Sequence, residues 1–176
     1  MAIDRRRHVL LKAATFAFVS YTIVMLVPEQ RMRRSGGPGM VPFELAGNAS
    51  RAEDIMTRWG SNGQQAARLS LWLDFGYMAT YGALTALLVD RARRRRGHTA
   101  ALPAVAIVAV IGDAIEGASL LKVLNRKRIG VYSRRARSAA LVKFATLAAA
   151  LGYVGVDQFL PLPGPHRAKD MAGQWS

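Results

Sequence analysis

The sequence has no cysteine, which removes disulfide bridges, thiolate metal sites and thiol nucleophiles. Histidine is nearly as scarce: His8, His98 and His166 fall at the ends of apolar segments or in the C-terminal stretch. That placement excludes a HExxH-type metal site and a Ser-His-Asp triad inside an apolar bundle, and no phosphate-cradling glycine loop is present. No metal and no cofactor is therefore expected. Acidic residues are few, 11 against 25 Lys and Arg. No stretch alternates apolar and polar residues as a half-buried strand does, and there is no internal repeat.

What is abundant is apolar surface and positive charge. Hydrophobic residues make up 51% of the chain, yet its formal charge is +14. The two are compatible because they are segregated. Basic runs at 5–7, 31–34, 91–96, 126–128 and 134–137 abut apolar stretches. Anionic lipid headgroups are the expected counter-charge, rather than nucleic acid. The Ala- and Arg-rich usage suggests a high-GC bacterium as the source.

Four apolar stretches, 9–27, 69–89, 101–121 and 139–160, each approach the roughly 20 residues that cross a bilayer. The first reads as a retained helix and not a cleaved leader, since Val27-Pro28-Glu29 offers no small-residue cleavage site. Ser35-Gly-Gly-Pro-Gly39 is a loop by its backbone chemistry. Ser50-x-x-Glu53 reads as a capping box. Ala52, Ile55, Met56 and Trp59 then give one apolar face to a short amphipathic helix over 51–60, stopped by Gly60. That helix either lies on the membrane surface, with Trp59 at headgroup depth, or caps the bundle. Pro161, Pro163 and Pro165 end the last stretch, leaving 161–176 as a mobile tail. The expected fold is all-α: one domain over 1–160, a four-helix transmembrane bundle with an interfacial helix between spans one and two. An even number of spans puts both termini on one side, and the loop charges lean toward a cytoplasmic N-terminus.

Charged residues inside such spans are the informative ones. An acid at the centre of a span costs at least ~2.5 kcal/mol, so it is paired, buried or functional. Asp74 sits near the start of the second span, with Tyr77 and Tyr81 on the same face at i+3 and i+7. Gly76 and Ala83 there allow close helix approach. Asp113 and Glu116 share one face near the end of the third span, beside Gly112 and Gly117, and Lys143 lies just inside the fourth. Antiparallel connectivity puts Asp74, Asp113, Glu116 and Lys143 in one layer, on the side of loops one and three. On the opposite side Lys12 and Asp157 match in depth and could pair. The layer admits three readings: a network fixing the helices, a contact site for lipid or a partner, or an acid–base pair. No residue is assigned as catalytic.

Phe43-Glu-Leu-Ala-Gly47, Arg58-Trp-Gly60, Ser70-Leu-Trp-Leu-Asp-Phe75, Asp113-x-x-Glu116 and Val142-Lys-Phe144 follow one another over residues 40–155. In that order they resemble a widespread group of bacterial four-span membrane proteins of uncharacterised function. In size, span number and composition the chain is also similar to a small accessory subunit of mycobacterial Mce-type lipid import complexes. The first resemblance implies a fold and no activity. The second implies an actinobacterial cell-envelope protein of the inner membrane, working in lipid transport beside other integral membrane subunits. The expected function is a non-catalytic accessory or assembly subunit. The alternatives are a small intramembrane enzyme acting on a lipid-like substrate and a small proton-coupled transporter.

Overall fold

The computed structural model describes the backbone of residues 2–159 and the side chains of residues 5–156. Among the described residues there is no strand, and the elements are helices α1 (Ala2–Arg34), α2 (Met40–Glu44), α3 (Ala49–Arg96), α4 (Val105–Leu124) and α5 (Ile129–Phe159). A single 3-10 turn, Leu102–Ala104, leads into α4. Three segments are long and apolar enough to cross a membrane: Arg5–Arg34, Leu102–Leu124 and Ile129–Val156. The 69–89 stretch of α3 is not among them. Asp74, Tyr77, Thr80, Tyr81 and two glycines dilute its hydropathy. The expected tail, 161–176, lies outside the described residues.

The main departure from expectation is in the middle of the chain. The helix over 51–60 and the 69–89 stretch are halves of one element, α3, whose backbone breaks at Gly60 (φ 58°, ψ −163°) and at once resumes. That conformation belongs essentially to glycine alone, so Gly60 turns the helix rather than stopping it. The start also differs: Asn48 is the N-cap, its side chain accepting from Arg51 N at 2.9 Å, and Ser50 lies inside the helix. Asn48 has the extended backbone (φ −149°, ψ 168°) that a cap needs, so the capping box at Ser50 is not formed.

The apolar face of this first half is covered by protein. Ala52, Ile55, Met56 and Trp59 are all buried, Trp59 to 1% exposure. The Trp59 ring meets Phe43 edge-on at 4.9 Å, and its Nε1 donates to Pro38 O at 2.6 Å. The helix therefore caps the bundle, and the surface-lying alternative falls away: a face packed against Phe43, Met32 and Leu120 has none left for lipid. The five-residue α2 is held in the same cap. Glu29 of α1 accepts from Met40 N at 2.9 Å, supplying the N-terminal partner that Gly39 has no side chain to provide.

Away from the cap the helices meet through small residues and hydroxyls. At Gly76 a Cβ would lie 2.3 Å from Tyr21 Oη, so the Tyr21 ring of α1 rests directly against the α3 backbone there. Tyr21 donates to Leu73 O at 2.8 Å. Ala83, by contrast, is exposed, and Gly82 makes the close approach, to Val110 of α4. Gly112 admits α5, with Ala139 O 3.3 Å from where its Cβ would be, whereas Gly117 has open space there. The α4–α5 connection is short, passes through left-handed Arg126 and Arg128, and is tied to α3 by Arg68 donating to Asn125 Oδ1 at 2.8 Å.

Candidate functional site: a buried acid-rich layer beside an apolar cavity

Four elements converge just beneath the cap. The antiparallel α4–α5 hairpin brings Asp113 and Glu116 opposite Lys143, and its Nζ stands 2.8 Å from Asp113 Oδ1 and 2.8 Å from Glu116 Oε2. Tyr81 of α3 donates to the other Asp113 oxygen at 2.7 Å. Asp113, Glu116, Lys143 and Tyr81 are all buried. Asp74 of α3 is half-buried and faces the layer as an electrostatic neighbour of Asp113 and Lys143. The structure thus gathers Asp74, Tyr81, Asp113, Glu116 and Lys143 around one ammonium. Tyr77 stands one turn aside, its hydroxyl 3.1 Å from Thr22 Oγ1 and its ring stacked on Phe18 at 5.6 Å, so it ties α3 to α1. Lys12 is exposed on α1, and the Asp157 side chain lies outside the described residues.

Sequence reasoning did not assign Glu44. It ends α2, with Oε2 3.8 Å from Lys143 Nζ and its side chain 12% exposed. Its signal was present: a lone acid in the apolar run Met40-Val-Pro-Phe-Glu-Leu-Ala46, inside a loop with no need of apolar residues unless the loop folds inward. Burial pushes the Glu44 carboxyl above its ordinary value; the nearby Lys143 ammonium opposes this, and Asp113 adds to it.

The layer is rich in acceptors and poor in donors. Four carboxylates, Glu44, Asp74, Asp113 and Glu116, stand around one lysine. Lys143 and Glu116 form a close ion pair without hydrogen-bond geometry, and neither Glu116 Oε2 nor Glu44 Oε2 has an aligned donor. Among the described residues no group of three or more acids or histidines is arranged to hold a metal ion.

One face of the layer opens on a cavity of about 520 Å³, inside the roughly 300–1,000 Å³ range of small-molecule pockets. Its charged lining residues are Glu29, Glu44, Asp74, Asp113 and Lys143. From there it runs between α1, α3 and α5, walled by Phe18, Met25 and Leu26 on α1, Leu84 and Leu88 on α3, and Leu147 and Leu151 on α5.

Fold and site together define an all-helical protein with membrane-spanning character, a buried acid-rich layer, and an apolar cavity ending on that layer. No protein-family model, no curated protein and no solved structure matches the chain.

Proposed function

We propose that the chain is a non-catalytic integral subunit of a larger complex in a bacterial inner membrane, and that its cavity holds a lipid-like amphiphile. In this reading α1, the 69–89 stretch of α3, α4 and α5 form a four-span bundle, and α2 with the start of α3 caps one end. Outward-facing Phe16, Ile23, Trp72 and Ile107, each 60% or more exposed, support the bilayer setting. The basic runs at the span ends suit anionic headgroups. A lipid importer of the Mce type, whose accessory subunits the sequence resembles in size, span number and composition, is the complex to test first.

The observation that carries the reading is the shape of polarity in the cavity: apolar along α1, α3 and α5, and charged at one end only. A molecule matched to it is apolar along its length with a polar head. The layer itself is engaged internally. Lys143 faces Asp113 and Glu116, and Tyr81 is held by Asp113, so these side chains join α3, α4 and α5. A second reading has one observation in its favour. Asp113 lines the cavity, so an intramembrane enzyme could use Asp113 and Glu116 as acid and base on a bound lipid.

Purification from the native cell in mild detergent, with identification of co-purifying proteins and lipids, tests both. Integral membrane partners and a retained lipid are expected. The double variant Asp113→Asn, Glu116→Gln should carry less partner and melt at lower temperature, because amides keep the shape but remove the two carboxylates nearest Lys143 and leave it Glu44 at 3.8 Å. Lipid turnover by the isolated protein, abolished in a normally folded and normally partnered double variant, would overturn the subunit reading in favour of the enzyme.

A further inference from the structure

We infer that the amphiphile is an amine-headed lipid of the surrounding bilayer, its ammonium seated between Glu44 and Asp74 and its chain lying along Leu84, Leu88 and Leu147. This rests on the amphiphile reading above and narrows it to one headgroup chemistry.

The argument comes from which charges at the polar end already have partners. Of the acids lining the cavity, Glu29 is held by Arg33 at 2.7 Å and by Met40 N at 2.9 Å. Asp113 takes Lys143 and the Tyr81 hydroxyl. Among the described residues Lys143 is the one basic residue lining the cavity, and it stands 2.8 Å from both Asp113 and Glu116 but 3.8 Å from Glu44. Glu44 and Asp74 therefore line the cavity as electrostatic neighbours of each other, facing the acids Glu116 and Asp113 respectively, with Lys143 3.8 Å from Glu44, and Glu44 Oε2 is buried with no aligned donor.

An ammonium supplies what this end lacks: three N–H donors, no acceptor and a positive charge. A hydroxyl brings one donor and no charge. A phosphate or carboxylate head would bring more acceptors and like charge against Glu44, Asp74 and Asp113. A bare divalent cation would want three or more oxygen ligands converging on one point, which the described residues do not offer. The chain is accommodated because the α3 wall continues 14 residues past Asp74 to Leu88, a rise of about 21 Å, with apolar side chains opposite on α1 and α5.

Native mass spectrometry of the full-length protein in mild detergent, titrated with dodecylamine, dodecanol or dodecanoate, tests this. Wild type should bind the amine at a concentration at least tenfold lower than the alcohol, and the carboxylate more weakly than either. Glu44→Gln with Asp74→Asn should reduce the amine preference over dodecanol to within about twofold. Should that pair fail to fold, as judged by its helical melt, Glu44→Gln alone must still lower the amine preference. Leu84→Trp, which fills the apolar wall, should block amine and alcohol together. Equal binding of amine and alcohol by wild type would overturn the amine assignment and leave the amphiphile reading intact. Binding of none of the three would overturn both. A preference for the carboxylate, or an amine preference that survives the double substitution, would overturn the assignment to Glu44 and Asp74.

Discussion

At the capped end of the bundle Met32, Phe43, Met56 and Trp59 are essentially sealed, and they form one apolar cluster with Leu120, Val123 and Leu124 of α4. At the other end the buried apolar cluster shrinks to Met78, Tyr81 and Ala109, and no residue in the apolar stretch of α1 is fully buried. Both ends are built from the same helices. The cap is packed as a water-soluble core is, by filling volume with large side chains. Beyond it, contacts between helices run through Gly76, Gly82, Gly112 and paired hydroxyls, as suits a bilayer, where apolar side chains gain nothing by leaving lipid. The acid-rich layer lies at the boundary between the two regimes, and the cavity opens on the loosely packed side.

The strongest way to break this comparison is to remove the group shared by both regimes. Lys143→Met leaves Asp113 and Glu116 buried without a counter-charge, a loss of about 3–5 kcal/mol by the behaviour of broken buried ion pairs. It should yield protein that melts far below wild type or cannot be recovered monodisperse from detergent. A melt within a degree or two of wild type would mean that the layer does not join the two ends.

A pair of equal truncations sharpens the same contrast. Met32→Ala removes a side chain with no exposure in the sealed cluster and should cost about 2–5 kcal/mol. Met25→Ala, two turns earlier on the same face of α1 and on the cavity wall, only enlarges space already present and should cost less than about 1 kcal/mol. Thermal melts of the two variants side by side give the comparison; equal losses would show that the cavity wall is packed as tightly as the cap.

The smallest effect concerns Glu44, the one acid of the layer that belongs to the cap. Its carboxyl is raised by burial, so the folded state holds its proton more firmly than the unfolded state does. The contribution is fully present below the unfolded value near 4.5 and is lost as pH rises through the folded one. Glu44→Gln does not titrate, so its melting temperature should gain on wild type between pH 4 and pH 8, by about 2–4 °C for each kcal/mol involved. A gap that narrows over that range would show that Lys143 outweighs burial at Glu44.

Much of this was legible in the sequence, for identifiable reasons. Long apolar stretches announce helices, and antiparallel connectivity alone brings Asp113, Glu116 and Lys143 to one depth. Where each helix ends was less legible. Gly60 reads as a stop because most helices end at glycine, yet here the backbone turns through a glycine-only conformation and resumes. Trp59 reads equally well as a headgroup anchor or a core residue; only the arrival of Phe43 and Pro38 from a loop decides between them. Glu44 was overlooked for the same reason. Its place depends on the segment over 35–47 folding inward, which is a property of tertiary packing and not of helical period.

The order of the layer's residues along the chain has a consequence for biosynthesis. Glu44, Asp74, Asp113 and Glu116 all precede Lys143, the last of them by 27 residues. Synthesis proceeds from the N-terminus at roughly 5–20 residues per second, so the nascent chain carries four acids for about 1–5 s before their common partner exists. Until α5 emerges, α4 is an apolar segment burdened with two carboxylates and nothing to offset them. The last helix to be made thus licenses the placement of those before it, and a chain interrupted between Glu116 and Lys143 would present an uncompensated acidic segment to quality control.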